Sequence, residues 1–80
     1  MENENILMQM VKDNMLLTLV DPRDYSEFEG HIEGRSGNFH LVDETGELKL
    51  PIRRLLVPSS SEFLILCNGV DDYFEVIGIN

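Results

Sequence analysis

The sequence predicts a single small, mainly β domain: an antiparallel meander of about six strands, curled into a small barrel behind a short N-terminal helix. Three observations carry that prediction. From residue 15 onward, polar and apolar residues alternate with period two over several stretches, the signature of half-buried strands. Turn residues punctuate these stretches at short intervals, which favours antiparallel pairing over crossovers. Two runs, residues 15–20 and 63–67, are apolar on both faces. A flat sheet covered on one side would leave such runs wet, whereas curled strands bury both sides.

Each element follows from its residues. Ile6, Leu7, Met10 and Val11 share one face of a 3.6-residue period, which predicts a helix over residues 3–13. Asn3 or Asn5 can cap its start, Glu4 suits its first turn, and Asn14 suits the left-handed position that ends it. At two to three turns the helix needs a partner for its apolar face. Residues 15–20 make the first strand, and Asp21-Pro22-Arg23-Asp24 a turn with proline at its first central position. Residues 27–35 alternate, Phe28, Gly30, Ile32 and Gly34 against Glu29, His31, Glu33 and Arg35. The two glycines allow this long strand to bend. Ser36-Gly37-Asn38 connects to a strand over residues 39–42, and Asp43-Glu44-Thr45-Gly46 forms the next turn.

Leu48, Leu50 and Ile52 continue at period two, but Leu55 and Val57 then occupy the opposite parity. A bulge or a one-turn helix near Arg53-Arg54 would absorb that slip. Residues 58–62 read as a loop, and residues 63–67 and 73–79 as a last hairpin around Asn68-Gly69-Val70-Asp71-Asp72.

Composition bounds the function. Fifteen acidic residues face six basic ones, a formal net charge of −9. Such an excess repels phosphate backbones and anionic membranes and favours encounter with basic partners, and it also keeps a small protein soluble. Glu2 and Glu4 do not suit the basic start of a secretory signal, and residues 6–11 are too short for a membrane span. Cys67 is the only cysteine, so no disulfide forms within the chain, and its place after an apolar run predicts a small buried hydrophobe. A cytoplasmic location is the expectation.

The order of elements resembles that of the Sm-like and SH3-like small barrels. In Sm-like proteins a short helix precedes a strand, a turn, a long bent strand carrying a glycine, and a hairpin with an acidic turn. Residues 6–11, 15–20, 27–35 with Gly30, 39–42, and Asp43-Glu44 are similar in spacing. Residues 5–57 carry this resemblance, which implies a nucleic-acid-binding subunit with Arg35, Lys49, Arg53 and Arg54 as its positive patch. The chain departs from that pattern where Phe39 follows Asn38, and where residues 63–79 continue past the usual end. In general plan the chain is also similar to the acidic Rho-inhibitor family, in which a short helix precedes a small barrel; no residue carries over from it.

Candidate functional residues fall into few groups. Asp21, Asp24 and Glu27, then Asp43, Glu44 and Glu47, then Asp71, Asp72 and Glu75 cluster at turns or strand ends. Turns of a meander gather at the two ends of a barrel, so these carboxylates can form an acidic rim that meets a basic protein. None of the three groups has the alternate spacing of a calcium loop. His31 and His40 could face each other across a hairpin and, with neighbouring carboxylates, hold a metal; the alternative is two surface histidines. Their acidic neighbours would favour the charged imidazolium. Arg53-Arg54 could clamp a phosphate, though in so acidic a chain internal salt bridges are the expected use of the pair. Residues 73–79 would offer a strand for homodimerisation if they lay at a sheet edge, or would close the barrel themselves.

No glycine-rich phosphate loop, CxxC, HExxH or GxSxG occurs, so an enzyme is not expected and no cofactor or metal is assigned. The sequence points to a small non-enzymatic interaction module, a regulator or inhibitor whose acidic surface engages a basic nucleic-acid-binding protein. An Sm-like nucleic-acid binder and a metal-dependent enzyme using His31 and His40 are the alternatives.

Overall fold

The computed structural model describes residues 3–59 and 63–80. One helix, α1 (Glu4–Lys12), precedes seven strands: β1 (Leu17–Val20), β2 (Glu27–Arg35), β3 (Asn38–Asp43), β4 (Lys49–Pro51), β5 (Arg54–Leu56), β6 (Leu64–Cys67) and β7 (Tyr73–Ile79). They form one antiparallel sheet in the order β4-β3-β2-β1-β7-β6-β5, curled into a half-barrel. The mainly β class with a short leading helix is as the sequence predicts; the seventh strand arises where one strand was expected to continue across residues 48–57. The part of the expected 58–62 loop formed by Ser60, Ser61 and Glu62 lies outside the described residues.

Helix α1 buries Leu7 and Met10, with Ile6 and Val11 half-buried beside them, as the 3.6-residue spacing requires. Its end is a Schellman motif: Asn14 takes φ 50°, its N–H donates to the Val11 carbonyl, and the Met15 N–H donates to the Met10 carbonyl. The start differs from expectation. Asn3 occupies the cap position, but its side chain makes no capping bond. Its Nδ2 instead donates to the Leu55 carbonyl at 2.8 Å, tying the helix to the outermost strand of the sheet.

Strand β2 is the spine. Its first part pairs with β1 (Leu17 opposite Gly30) and its second with β3 (Gly30 opposite Asp43, Arg35 opposite Asn38), so the sheet turns a corner along it. Two glycines permit this. A Cβ on Gly30 would sit 2.7 Å from the Val42 carbonyl oxygen. Gly34 has φ +121°, and a Cβ there would collide with the Asn38 carbonyl.

The apolar parity slip is absorbed by a change of partner, not by a bulge or a helical turn. The Ile52 N–H donates to the Phe39 carbonyl in β3, and the Arg53 N–H donates to the Cys67 carbonyl in β6. Between these residues the chain leaves one edge of the sheet and joins the other. Ile52 and Leu55 can therefore both point inward despite their odd spacing, and they are 6 % and 0 % exposed. The bulge that does occur lies between β1 and β7, at Thr18/Leu19.

Inward residues from every sector meet in one core: Leu17, Leu19, Ile32, Leu41, Leu66 and Val76 with the helix side chains, and Phe28 against Phe74 edge-on at 5.3 Å. Strand β7 lies inside the sheet, bonded to β1 on one side and β6 on the other. The expected route to a homodimer through residues 73–79 therefore lacks its free edge. The true edges are β4, short and ending in Pro51, and β5, whose Leu55 carbonyl is taken by Asn3. Both are poor templates for strand addition. No described helix is long and apolar enough to cross a membrane.

Candidate functional site

Because neighbouring strands are antiparallel throughout, β1, β3 and β6 run the same way. The connections that follow them, residues 21–26, 44–48 and 68–72, therefore leave from one end of the sheet. These are the acidic turns. The opposite end carries the β2–β3 hairpin and the helix, where the Gly37 N–H donates to Glu4 Oε1. One end of the half-barrel is plugged by α1, and the other opens on a hollow of about 390 Å³. Phe28, Leu48, Leu50 and Phe74 form apolar walls there, and Asp21, Arg23, Asn68 and Asp72 form polar ones.

The β1–β2 turn is built by its own acids. Asp21 accepts the Arg23 backbone N–H at 3.0 Å, and the Arg23 guanidinium closes on both Asp21 oxygens, Nε at 3.1 Å and Nη2 at 2.9 Å. These bonds to Arg23 hold the Asp21 carboxyl below its ordinary value. Arg23 Nη1 also reaches Asp72 at 3.4 Å, linking this turn to the one after β6. Asp24 accepts the backbone N–H and the hydroxyl of Ser26, which keep it ionised below the usual range.

The second acidic group is spent locally. Asp43 accepts the Leu48 N–H at 2.9 Å and the Thr45 hydroxyl at 2.7 Å, and these bonds depress its carboxyl. Glu44 lies 3.0 Å from His31 Nδ1, while Glu33 lies 2.7 Å from His31 Nε2. The two carboxylates, Glu33 foremost, raise the His31 imidazole above its ordinary value.

The structure thus gathers Asp21 and Asp72 at the mouth, with Asp24, Glu27 and Asp71 exposed on the same turns and strand start. Glu47 stays exposed in the 44–48 turn. Asp43 and Glu44 share that end of the sheet but face a turn and a histidine. Glu75 lies within β7, half-buried between Val20 and Ile65, and leaves the group.

The histidine pair is also rearranged. His31 stands opposite Val42 and His40 opposite Glu33, so the two are offset by two pairs, and both His31 nitrogens face carboxylates. Among the described residues, no group of three or more His, Cys, Asp and Glu side chains is placed to hold a metal ion.

The positive patch does not form. Arg35 ends β2 near the helix, Lys49 lies on β4 and acts on Glu33, and Arg53 and Arg54 line a different hollow with Cys67 and Asn68. Nor do the two arginines enter the expected internal salt bridges: neither has an ion-pair partner among the described residues. Cys67 is buried, as expected.

Compared with protein-family models, with curated proteins and with solved structures, the chain gives no match.

Proposed function

We propose that this protein is a small non-enzymatic interaction module whose open, acidic end engages a basic protein. One observation carries the reading: three acidic turns leave the sheet at the same end, and all three line an apolar-walled hollow with Asp21 and Asp72 at its lip. Arg23 illustrates what this lip accepts, since its guanidinium lies between those two carboxylates. A partner's arginine or lysine would find Glu27, Glu47, Asp71 and the second oxygens of Asp24 and Asp72 unscreened by any other cation of the mouth.

The net charge of −9 supports fast, steered encounter with a cationic surface. Proteins that bind nucleic acid present such surfaces, so a regulator or inhibitor that mimics a phosphate track is the concrete form of the proposal. The intracellular setting of such targets fits the expected cytoplasmic location.

Binding to a panel of basic nucleic-acid-binding proteins at rising salt tests the reading. The expected result is an association that weakens steeply with ionic strength and with the combined Asp24→Asn, Glu27→Gln and Asp71→Asn changes. Binding indifferent to both, or absent across the panel, contradicts it.

A further inference from the structure

The Arg53–Arg54 hollow is unlike the rest of the surface. It has a volume of about 530 Å³ and is lined by Arg53, Arg54, Cys67, Asn68, Gly69 and Val70. In a chain with fifteen acidic and six basic residues, its lining holds two cations and no carboxylate. Neither guanidinium has an ion-pair partner among the described residues.

The hollow owes its place to the change of strand partner. As the chain crosses from β3 to β6 at Ile52–Arg53, it parts from one edge, and the two arginines fall at the seam beside the β6–β7 turn. Val70, fully exposed, offers apolar contact at the rim.

We infer that this hollow is a binding site for the phosphate group of a small soluble phosphate monoester. The charge decides between anions. A phosphate monoester carries about −1.5 to −2 near neutral pH and matches two guanidiniums, which grip its oxygens in pairs. A monocarboxylate would leave one cation unmatched. A polyanion would run from the two arginines straight onto the acidic turns, so a single phosphate fits where a nucleic-acid strand does not. The volume lies within the range of roughly 300–1,000 Å³ typical of small-molecule sites.

Titration of the whole protein with AMP, followed by backbone amide shifts, tests the site. The expected result is saturable shifts at residues 53–54 and 67–70 at concentrations up to about 10 mM, with inorganic phosphate binding the same residues more weakly. Arg53→Gln with Arg54→Gln should weaken AMP about tenfold or more, the loss expected for charge-assisted hydrogen bonds. Both arginines are exposed, so their replacement leaves the core intact. No saturable shift with either probe, or shifts that survive the double arginine variant, overturns the inference. Binding to vesicles of phosphatidic acid in phosphatidylcholine without binding to AMP would also overturn it, since it would assign the phosphate to a membrane.

Discussion

Replacing Leu55 by alanine tests the change of strand partner on which the whole half-barrel depends. If β4 simply continued as one straight strand, Leu55 would lie three positions from Ile52, on the opposite face, and would be wet. In the structure Leu55 is 0 % exposed, opposite Leu66 in β6, while Val57 two residues later is 54 % exposed. Leu-to-Ala at a fully buried site costs about 2.7–5 kcal/mol, rising with the cavity left behind. A chain of this length has roughly 4–12 kcal/mol of stability in total. Leu55→Ala should thus remove a large part of it, lowering Tm by about 10 °C or more. Val57→Ala should cost no more than about 0.5 kcal/mol. Urea and thermal melts of both variants read the contrast. Equal, small losses at the two sites would refute the edge-to-edge crossing and leave the parity slip without an explanation.

Further predictions rest on separate contacts. Gly34→Ala should destabilise by about 1–3 kcal/mol or more, because φ +121° and the Asn38 carbonyl leave no room for a Cβ; a chemical melt checks it. Asn3→Ala should cost about 1 kcal/mol, and amide exchange near residues 54–56 should speed up as β5 loses its tie to the helix. His31 is raised above 6.5, chiefly by Glu33 and then by Glu44, so its contribution is complete below 6.5 and fades as pH rises through the folded value. Glu33 is depressed below 4.5 chiefly by His31, so its contribution is complete above 4.5 and fades as pH falls through the folded value. The clamp is therefore strongest between 4.5 and 6.5, and the Tm difference between wild type and His31→Gln should peak there and shrink as pH rises through the folded value of His31. These groups are partly exposed, so the effect is a small one.

Local signals in the sequence were legible because their causes are local. The face made by Ile6, Leu7, Met10 and Val11, the left-handed Asn14, and the alternation of residues 27–35 each depend on neighbours a few positions away. The parity slip at Arg53-Arg54 was visible too, but period-two reasoning reports which face a residue takes, not which strand it pairs with. The edge-to-edge crossing and the interior place of β7 follow from pairings far apart in the chain, such as Leu17 with Ile79.

The acidic site was read in part for the same reason. Assigning the carboxylates to turns needed only composition, and antiparallel order then puts the turns at one end. What the sequence did not reveal was which acids remain available. His31 meets Glu44 only through the β2–β3 register, thirteen positions apart in the chain, and Arg23 meets Asp72 only through the curl of the sheet. Asp43 is different: the spacing of Asp43 and Thr45 already marks a side-chain-built turn, which would have identified that carboxylate as occupied.

The most direct test of the functional account is amide-shift mapping during titration with a short arginine-rich peptide at low salt. The account predicts that the shifts concentrate in residues 21–27, 47 and 71–72, and that they disappear as salt is added. Shifts of equal size around Asp13, Glu33 and the other carboxylates would mean that the charge acts everywhere alike, and the open end of the half-barrel would then hold no special claim to a partner.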